Sequence, residues 1–378
     1  MIVEKYIGIM LYNTINIIMF SVMYYLNSAS NKGIYFGVRI PGKYKDEPEL
    51  KALESRYKKD ILLTAGIITI ITNYILFKFI NSSEEFLEII ISVFMFGVIL
   101  VFQIPFIIYY KKTKKLKKEN GWNIKSNNVV IVDTTLRKPK KNEKIKTVPI
   151  KYFVMLLIVP IIMFILTFSA YERLPEVVKV PLSSYEEFNK TTIKGLMTLY
   201  SMPVIQLFIG ILFIFINKSI MISRVDLSSG SIDNAILRKK KFRKLGSIFL
   251  FITSIEMMVM FSIPQVYILY GVEMKLMEYI IIAIIMITML IFIIYSIKVG
   301  QGGRNISNDN EKDELYKDDD SKWILGSFYY NKNDPAMMIE KRVGIGWTIN
   351  FGNTKAIILS VIFLVIIICF TVLGIVIG

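Results

Sequence analysis

Residues 356–377 read AIILSVIFLVIIICFTVLGIVI, a stretch without one charged side chain. An α-helix rises about 1.5 Å per residue, so roughly 20 such residues cross a hydrocarbon core about 30 Å thick. The run is apolar on every helical face, which suits lipid better than a half-buried position on a water-soluble domain. Working outward from it, seven more segments meet the same test: 6–26, 61–80, 89–110, 152–170, 196–217, 247–270 and 277–297. The expected fold is therefore an all-α polytopic membrane protein of about eight transmembrane helices. Three regions are expected: a three-helix region at 1–150, a four-helix region at 151–300, and 301–378 with the last helix.

Composition agrees and removes much chemistry. Hydrophobic residues make up 54% of the chain, beyond the usual range of water-soluble domains. Histidine is absent and Cys369 is the single cysteine, so a zinc site, an internal disulfide and a Ser/His/Asp triad are excluded. No metal, cofactor or catalytic residue is expected, and the cysteine reads as a packing group. Ser28-Ala29-Ser30 follows the first apolar run like a signal-cleavage site. The leading region, however, carries only Lys5 against Glu4, and the next loop is strongly basic, so a retained helix is expected.

The odd-numbered connections, 27–60, 111–151, 218–246 and 298–355, hold 39 of the 46 lysines and arginines; the even-numbered ones hold 5. Because basic loops resist translocation, this alternation places the odd connections in the cytoplasm and both termini outside. Lys111, Lys112, Lys114, Lys115, Lys117 and Lys118 are expected to face anionic headgroups, at about 1 kcal/mol per basic residue. Nucleic acid is disfavoured, since the basic runs abut helix ends without a nucleic-acid-binding fold around them.

Within the spans, Glu256 stands out, because an ionised carboxylate there costs roughly 3 kcal/mol unless protonated, paired or hydrated. It reads either as a proton or cation site or as a neutral acid bonded to Asn73, Gln103 or Gln206 on another helix. Pro160, Pro203 and Pro264 interrupt three spans, each removing a backbone hydrogen bond. The acidic stretch Asp309, Glu311, Asp313, Glu314, Asp318, Asp319, Asp320 lacks the glycine a calcium loop requires and reads as a solvated tether. Residues 323–353 then form a small cytoplasmic β-hairpin-like element, two strands around a turn at Asn333-Asp334-Pro335, with glycines at 344 and 346. Its aromatics, Phe328, Tyr329, Tyr330, Trp347 and Phe351, suit the headgroup boundary and could also form a recognition surface.

Three segments together resemble the Sdp-type immunity membrane proteins of bacteria. Asn31-Lys-Gly-Ile-Tyr-Phe-Gly-Val-Arg-Ile-Pro41, with Phe36, Gly37, Arg39 and Pro41, is similar to their Gly-Ile/Val-Arg-x-Pro motif. Leu174-Pro175 through Gln206 resembles the outward loop and following helix of the domain of unknown function they share, of the 1648 type. That family places a histidine and then a Gly and Asp turn after Leu-Pro; here Pro181 stands near the histidine position, and Ser183, Ser184, Glu186 and Glu187 occupy the turn. Trp323 to Asn353 is similar to a short domain of the 5808 type often joined to it, through Tyr329-Tyr330-Asn331, Asp334-Pro335 and Gly346-Trp347-Thr-Ile-Asn350-Phe351-Gly352-Asn353. The resemblance implies a non-enzymatic sensor or immunity protein of the bacterial plasma membrane. Its outward loop 171–195 would meet an extracellular peptide, and its basic side would meet a cytoplasmic regulatory protein. The rival expectation is a secondary transporter using Glu256, and a membrane enzyme ranks third.

Overall fold

The computed structural model describes residues 2–30, 33–122, 146–181, 189–223, 232–272, 275–303, 305 and 318–377. Helix α1 (Ile2–Tyr24) continues into one further turn, α2 (Leu26–Ala29), and then into a hairpin of β1 (Ile34–Tyr35) and β2 (Val38–Arg39). Helix α3 (Pro48–Lys78) begins with a proline at its first turn, where the missing N–H costs nothing. It carries the charged stretch straight into the apolar span. In α4 (Glu84–Glu119) the order is reversed, with the apolar span running into the basic stretch; Ser83 caps its start by accepting from Phe86 N–H at 3.4 Å. These three long helices form one unit around Tyr57, Ile61, Val98, Phe102 and Tyr109. Between α1 and α3, Asn13 and Asn73 exchange two 2.9 Å hydrogen bonds, satisfying both amides among apolar neighbours.

The second unit starts with α5 (Ile150–Leu156) and α6 (Ile158–Ala170), one span broken at Leu157. Pro160 is the cause, because it has no N–H for the Leu156 carbonyl and its ring crowds that group. A second hairpin follows, β3 (Val177–Pro181) with β4 (Asn189–Ile193), then α7 (Leu196–Ile222), α8 (Ile232–Tyr270) and α9 (Lys275–Val299). Pro203 and Pro264 do not interrupt their spans as expected; α7 and α8 run through them unbroken, as α4 does through Pro105.

Among the described residues, seven helices are long and apolar enough to cross a membrane. The eighth expected span is α10 (Thr354–Ile377), of which Thr354–Val365 stands as a shorter apolar helix among those residues. The outward faces of the long helices are apolar: Ile70 and Phe96 are each 72% exposed and Phe168 78%, a surface suited to hydrocarbon.

Residues 323–353 differ from the expected pair of strands. They form two hairpins, β5 (Trp323–Ile324) with β6 (Phe328–Tyr329) and β7 (Met338–Glu340) with β8 (Trp347–Ile349). The turn expected at 333–335 joins the hairpins rather than forming the tip of one. Asn350, fully buried, replaces the missing strand pairing: its amide donates to the Asn331 and Asp334 carbonyls and accepts from Asn331 and Gly352 N–H.

Candidate functional site

The small two-hairpin element touches both helical units, and among the described residues that contact holds a dense polar arrangement. On the side of the first unit, two tight turns meet. Phe36 and Gly37 (φ 45° and 80°) and Leu325 and Gly326 (φ 50° and 72°) are all left-handed, a conformation only glycine adopts freely. A Cβ on Gly37 would lie 2.5 Å from the Gly326 Cα, so the two backbones approach as only glycines permit. Phe36 inserts between Tyr57 and Tyr109, with ring centroids 4.8 and 5.5 Å away.

Around this contact lies a network of ions. Arg342, 2% exposed, donates to Gly37 O at 2.8 Å, to Asp320 at 2.5 Å and to Asp319, and its guanidinium lies 5.3 Å from the centre of the Trp323 ring. Arg39 Nε donates to Asp319 at 3.0 Å, and its backbone N–H to Asp320 at 3.0 Å. Lys117, at the end of α4, reaches Asp318 and Asp320, both at 2.6 Å. Trp323 Nε1 donates to Asp319 at 3.2 Å. Burial by itself would raise the Asp320 carboxyl, but the charges of Arg342 and Lys117 and the Arg39 N–H hold it below the ordinary carboxylate value.

These contacts correct two expectations. Asp318, Asp319 and Asp320 are structural anions and not a solvated tether; Asp309, Glu311, Asp313 and Glu314 lie outside the described residues. Lys117 is buried, so the basic run 111–118 does not present all six lysines to headgroups.

Toward the second unit neutral groups join charged ones. Gln301, fully buried in the turn after α9, donates to the Lys341 and Gly346 carbonyls and accepts from Gly346 N–H at 2.8 Å, closing the β7–β8 loop. Trp347 donates to Ser223 Oγ at 3.0 Å, stacks near Phe242 at 5.0 Å and sits where Gly246 leaves room. An ion pair of Lys239 with Glu340, both buried, joins α8 to β7. Arg243 binds the Met221 and Ser223 carbonyls that end α7. The basic connection 218–246 is thus partly internal.

The intramembrane candidates are not brought together. Glu256 accepts from Thr288 Oγ1 on α9 at 2.6 Å, a partner absent from the expected three. Asn73 pairs with Asn13, Gln103 is exposed, and Gln206 donates to Met258 O and Ser262 Oγ on α8. Sequence reasoning missed Gln265, whose amide donates to Thr167 Oγ1 at 2.7 Å and to Leu199 O at 2.9 Å. Leu199 is four residues before Pro203, so this is the carbonyl that the proline leaves without its helical donor. A side chain from α8 therefore supplies the donor that Pro203 withholds from the backbone of α7.

The remaining motif residues serve the element's own fold. Tyr329 OH donates to Asp334 at 2.9 Å and accepts from Asn331. Pro335 O accepts from Asn353, and Phe351 N–H donates to Tyr329 O. Gly352 packs against the Asn331 backbone, where a Cβ would lie 2.5 Å from its carbonyl carbon. Tyr330 is exposed, and Pro41 opens the turn after β2. Leu174 packs beside Val178, Leu199 and Ile268, and its carbonyl accepts from Lys194; Pro175 is exposed. Ser183, Ser184, Glu186 and Glu187 lie outside the described residues. Among the described residues no group of three or more acidic or cysteine side chains is placed to hold a metal ion.

Residues 332–357 match the model of a family of unknown function, DUF5808. The matched stretch takes in β7, β8, Arg342, Gln301's partner Gly346, Asn350 and the start of α10, so it covers the part of the element that faces both units. No curated protein and no solved structure matches the chain.

Proposed function

We propose that this chain is a non-enzymatic multi-pass protein of the bacterial plasma membrane, a sensor or immunity protein of the Sdp type. In this reading hairpin β3–β4 lies on the outer side and the two-hairpin element with the basic loops on the cytoplasmic side, beside anionic headgroups and a regulatory protein. One observation carries it: a single small element holds the two helical units together at one end, by ions on one seam and by Gln301 and Trp347 on the other. Such an element suits a relay, because a shift of either unit at the far end must change one of the seams. Helix α7 spans that distance, from hairpin β3–β4 at its start to Ser223 against Trp347 at its end.

The deciding experiment is survival of cells with and without the gene in graded amounts of secreted peptide toxins. Selective protection that disappears when Arg342 is replaced supports the reading. Absence of protection at verified membrane expression removes the immunity role.

A second reading, secondary transport, is favoured by Glu256, which is buried in α8 with a hydroxyl donor from α9. It requires Glu256→Gln to abolish proton-coupled flux in reconstituted vesicles, and normal flux in that variant rules the coupling role out.

A further inference from the structure

Several carboxamides on the apolar helices are answered within the chain. Asn13 and Asn73 bond to each other, Gln206 reaches from α7 to α8, and Gln265 reaches from α8 to α6 and α7. Asn217 donates to Val148 O at 3.1 Å and accepts from Ser247 Oγ at 2.6 Å. Gln103 differs. It is exposed on α4, and among the described residues it has no hydrogen-bond partner.

Its depth makes that exposure consequential. Gln103 lies 14 residues after Ile89, where the apolar stretch of α4 begins, and 8 before Lys111, the first charge that follows. At 1.5 Å per residue these are about 21 Å and about 12 Å along the helix axis. Phe96, Ile99 and Leu100 precede it by seven, four and three residues, so all three share its face of the helix, and they are 72%, 43% and 70% exposed. Lipid satisfies those apolar side chains. It does not satisfy the amide, because hydrocarbon offers neither donor nor acceptor and the side chain is too short to reach the headgroups.

We propose that the face of α4 bearing Phe96, Leu100 and Gln103 joins two copies of this chain in the bilayer, with the two Gln103 amides hydrogen-bonded to each other across a two-fold axis along the membrane normal. A carboxamide is donor and acceptor at once and therefore complements itself. Asn13 and Asn73 show the same chemistry inside the chain, with two reciprocal bonds of 2.9 Å. Copies inserted in one orientation carry Gln103 at one depth, so a two-fold axis brings the pair together with no further fitting, whereas an unrelated partner must supply a matching group at that depth. The inference rests on the reading of α4 as a membrane span and adds a partner to it.

The test uses the full chain, labelled with donor or acceptor fluorophores at an added C-terminal tag, in lipid vesicles over a range of protein-to-lipid ratios. Energy transfer should follow a monomer–dimer equilibrium. Gln103→Leu should weaken association by about tenfold, and Gln103→Asn, which keeps the carboxamide, should weaken it less. Because Gln103 is exposed, an unchanged melting temperature of Gln103→Leu separates lost association from lost folding. A second measurement needs no change at Gln103: in a Cys369→Ser background, Leu100→Cys should form a disulfide between copies under a membrane-permeant oxidant, and Ile70→Cys, on the 72% exposed position of α3, should not. Energy transfer no greater than chance encounter, equal association of Gln103→Leu and wild type, or cross-linking through Ile70→Cys as readily as through Leu100→Cys overturns the proposal. Retention in membranes after alkaline washing is scored separately. A chain that washes off loses the membrane reading and this inference together, and a chain retained as a monomer loses only this inference.

Discussion

The two seams of the small element make an informative comparison. Toward α1, α3 and α4 it presents Arg342 and three aspartates to Arg39 and Lys117, with glycine packed on glycine. Toward α7, α8 and α9 it presents an indole and loop backbone to Ser223 and Gln301, and Glu340 to Lys239. Desolvated ions tolerate the loss of a partner poorly, because the survivor stays buried and unpaired, whereas a neutral hydrogen bond has a modest net value. The contacts made by Arg342 and by the Lys239–Glu340 pair should therefore be the brittle ones, and those made by Trp347 and Gln301 the graded ones.

The largest effect is expected for Arg342→Met, which takes one of two cationic partners from Asp319 and from Asp320 and the donor from Gly37 O, while Arg39 and Lys117 remain. A loss of about 2–3 kcal/mol is expected, read as a fall in melting temperature of the purified protein and as cross-linking lost between positions 37 and 326. A smaller change on the second seam, Trp347→Phe, keeps the ring and removes only the Ser223 bond, so about 1 kcal/mol is expected. Equal losses for the two variants would end the distinction between the ionic contact and the neutral one.

Within the second unit, Gln265→Leu should cost about 1–3 kcal/mol by orphaning the Leu199 carbonyl. Adding Pro203→Ala restores the helical donor to that carbonyl, so the double variant should recover part of the loss. Strict additivity in this cycle would show that the glutamine does not act through the proline.

The smallest expected effect is that of pH. The Asp320 carboxyl is held below its unfolded value, so the unfolded chain binds the proton first and stability rises with pH across that interval. The contribution is present at neutral pH, begins to fade near the ordinary carboxylate value of about 4 and is lost as pH falls through the depressed one. The chain's three tryptophans include Trp323 on the ionic seam and Trp347 on the other. In single-tryptophan variants the fluorescence of Trp323 should shift on acidification before that of Trp347. The reverse order would remove Asp320 as the first acid-sensitive link.

Much of the helical framework was legible from hydropathy because helices apolar on every face carry their signal all round, and a window of roughly 20 residues averages it. Motif residues such as Phe36, Gly37, Arg39, Trp323 and Asn350 were also visible, though as names without partners. The aspartates at 318–320 were misread, since a run of like charges beside glycines normally lies in water. Lys117 could have been found: it continues the stripe Phe102, Phe106, Tyr109, Thr113 at helical spacing, and every member of that stripe is buried.

From the sequence alone came eight apolar spans, of which seven are helices long and apolar enough to cross a membrane among the described residues, together with the lack of histidine and the concentration of basic residues in alternate connections. Each of these is a local sum over neighbours in the chain. Only the tertiary structure decided that Arg342 meets Gly37, more than 300 positions away, that Gln265 completes the backbone of another helix, and that Glu256 is served by Thr288. Those choices depend on which helix faces lie against each other, and a buried polar group takes whatever donor or acceptor the packing brings within about 3 Å.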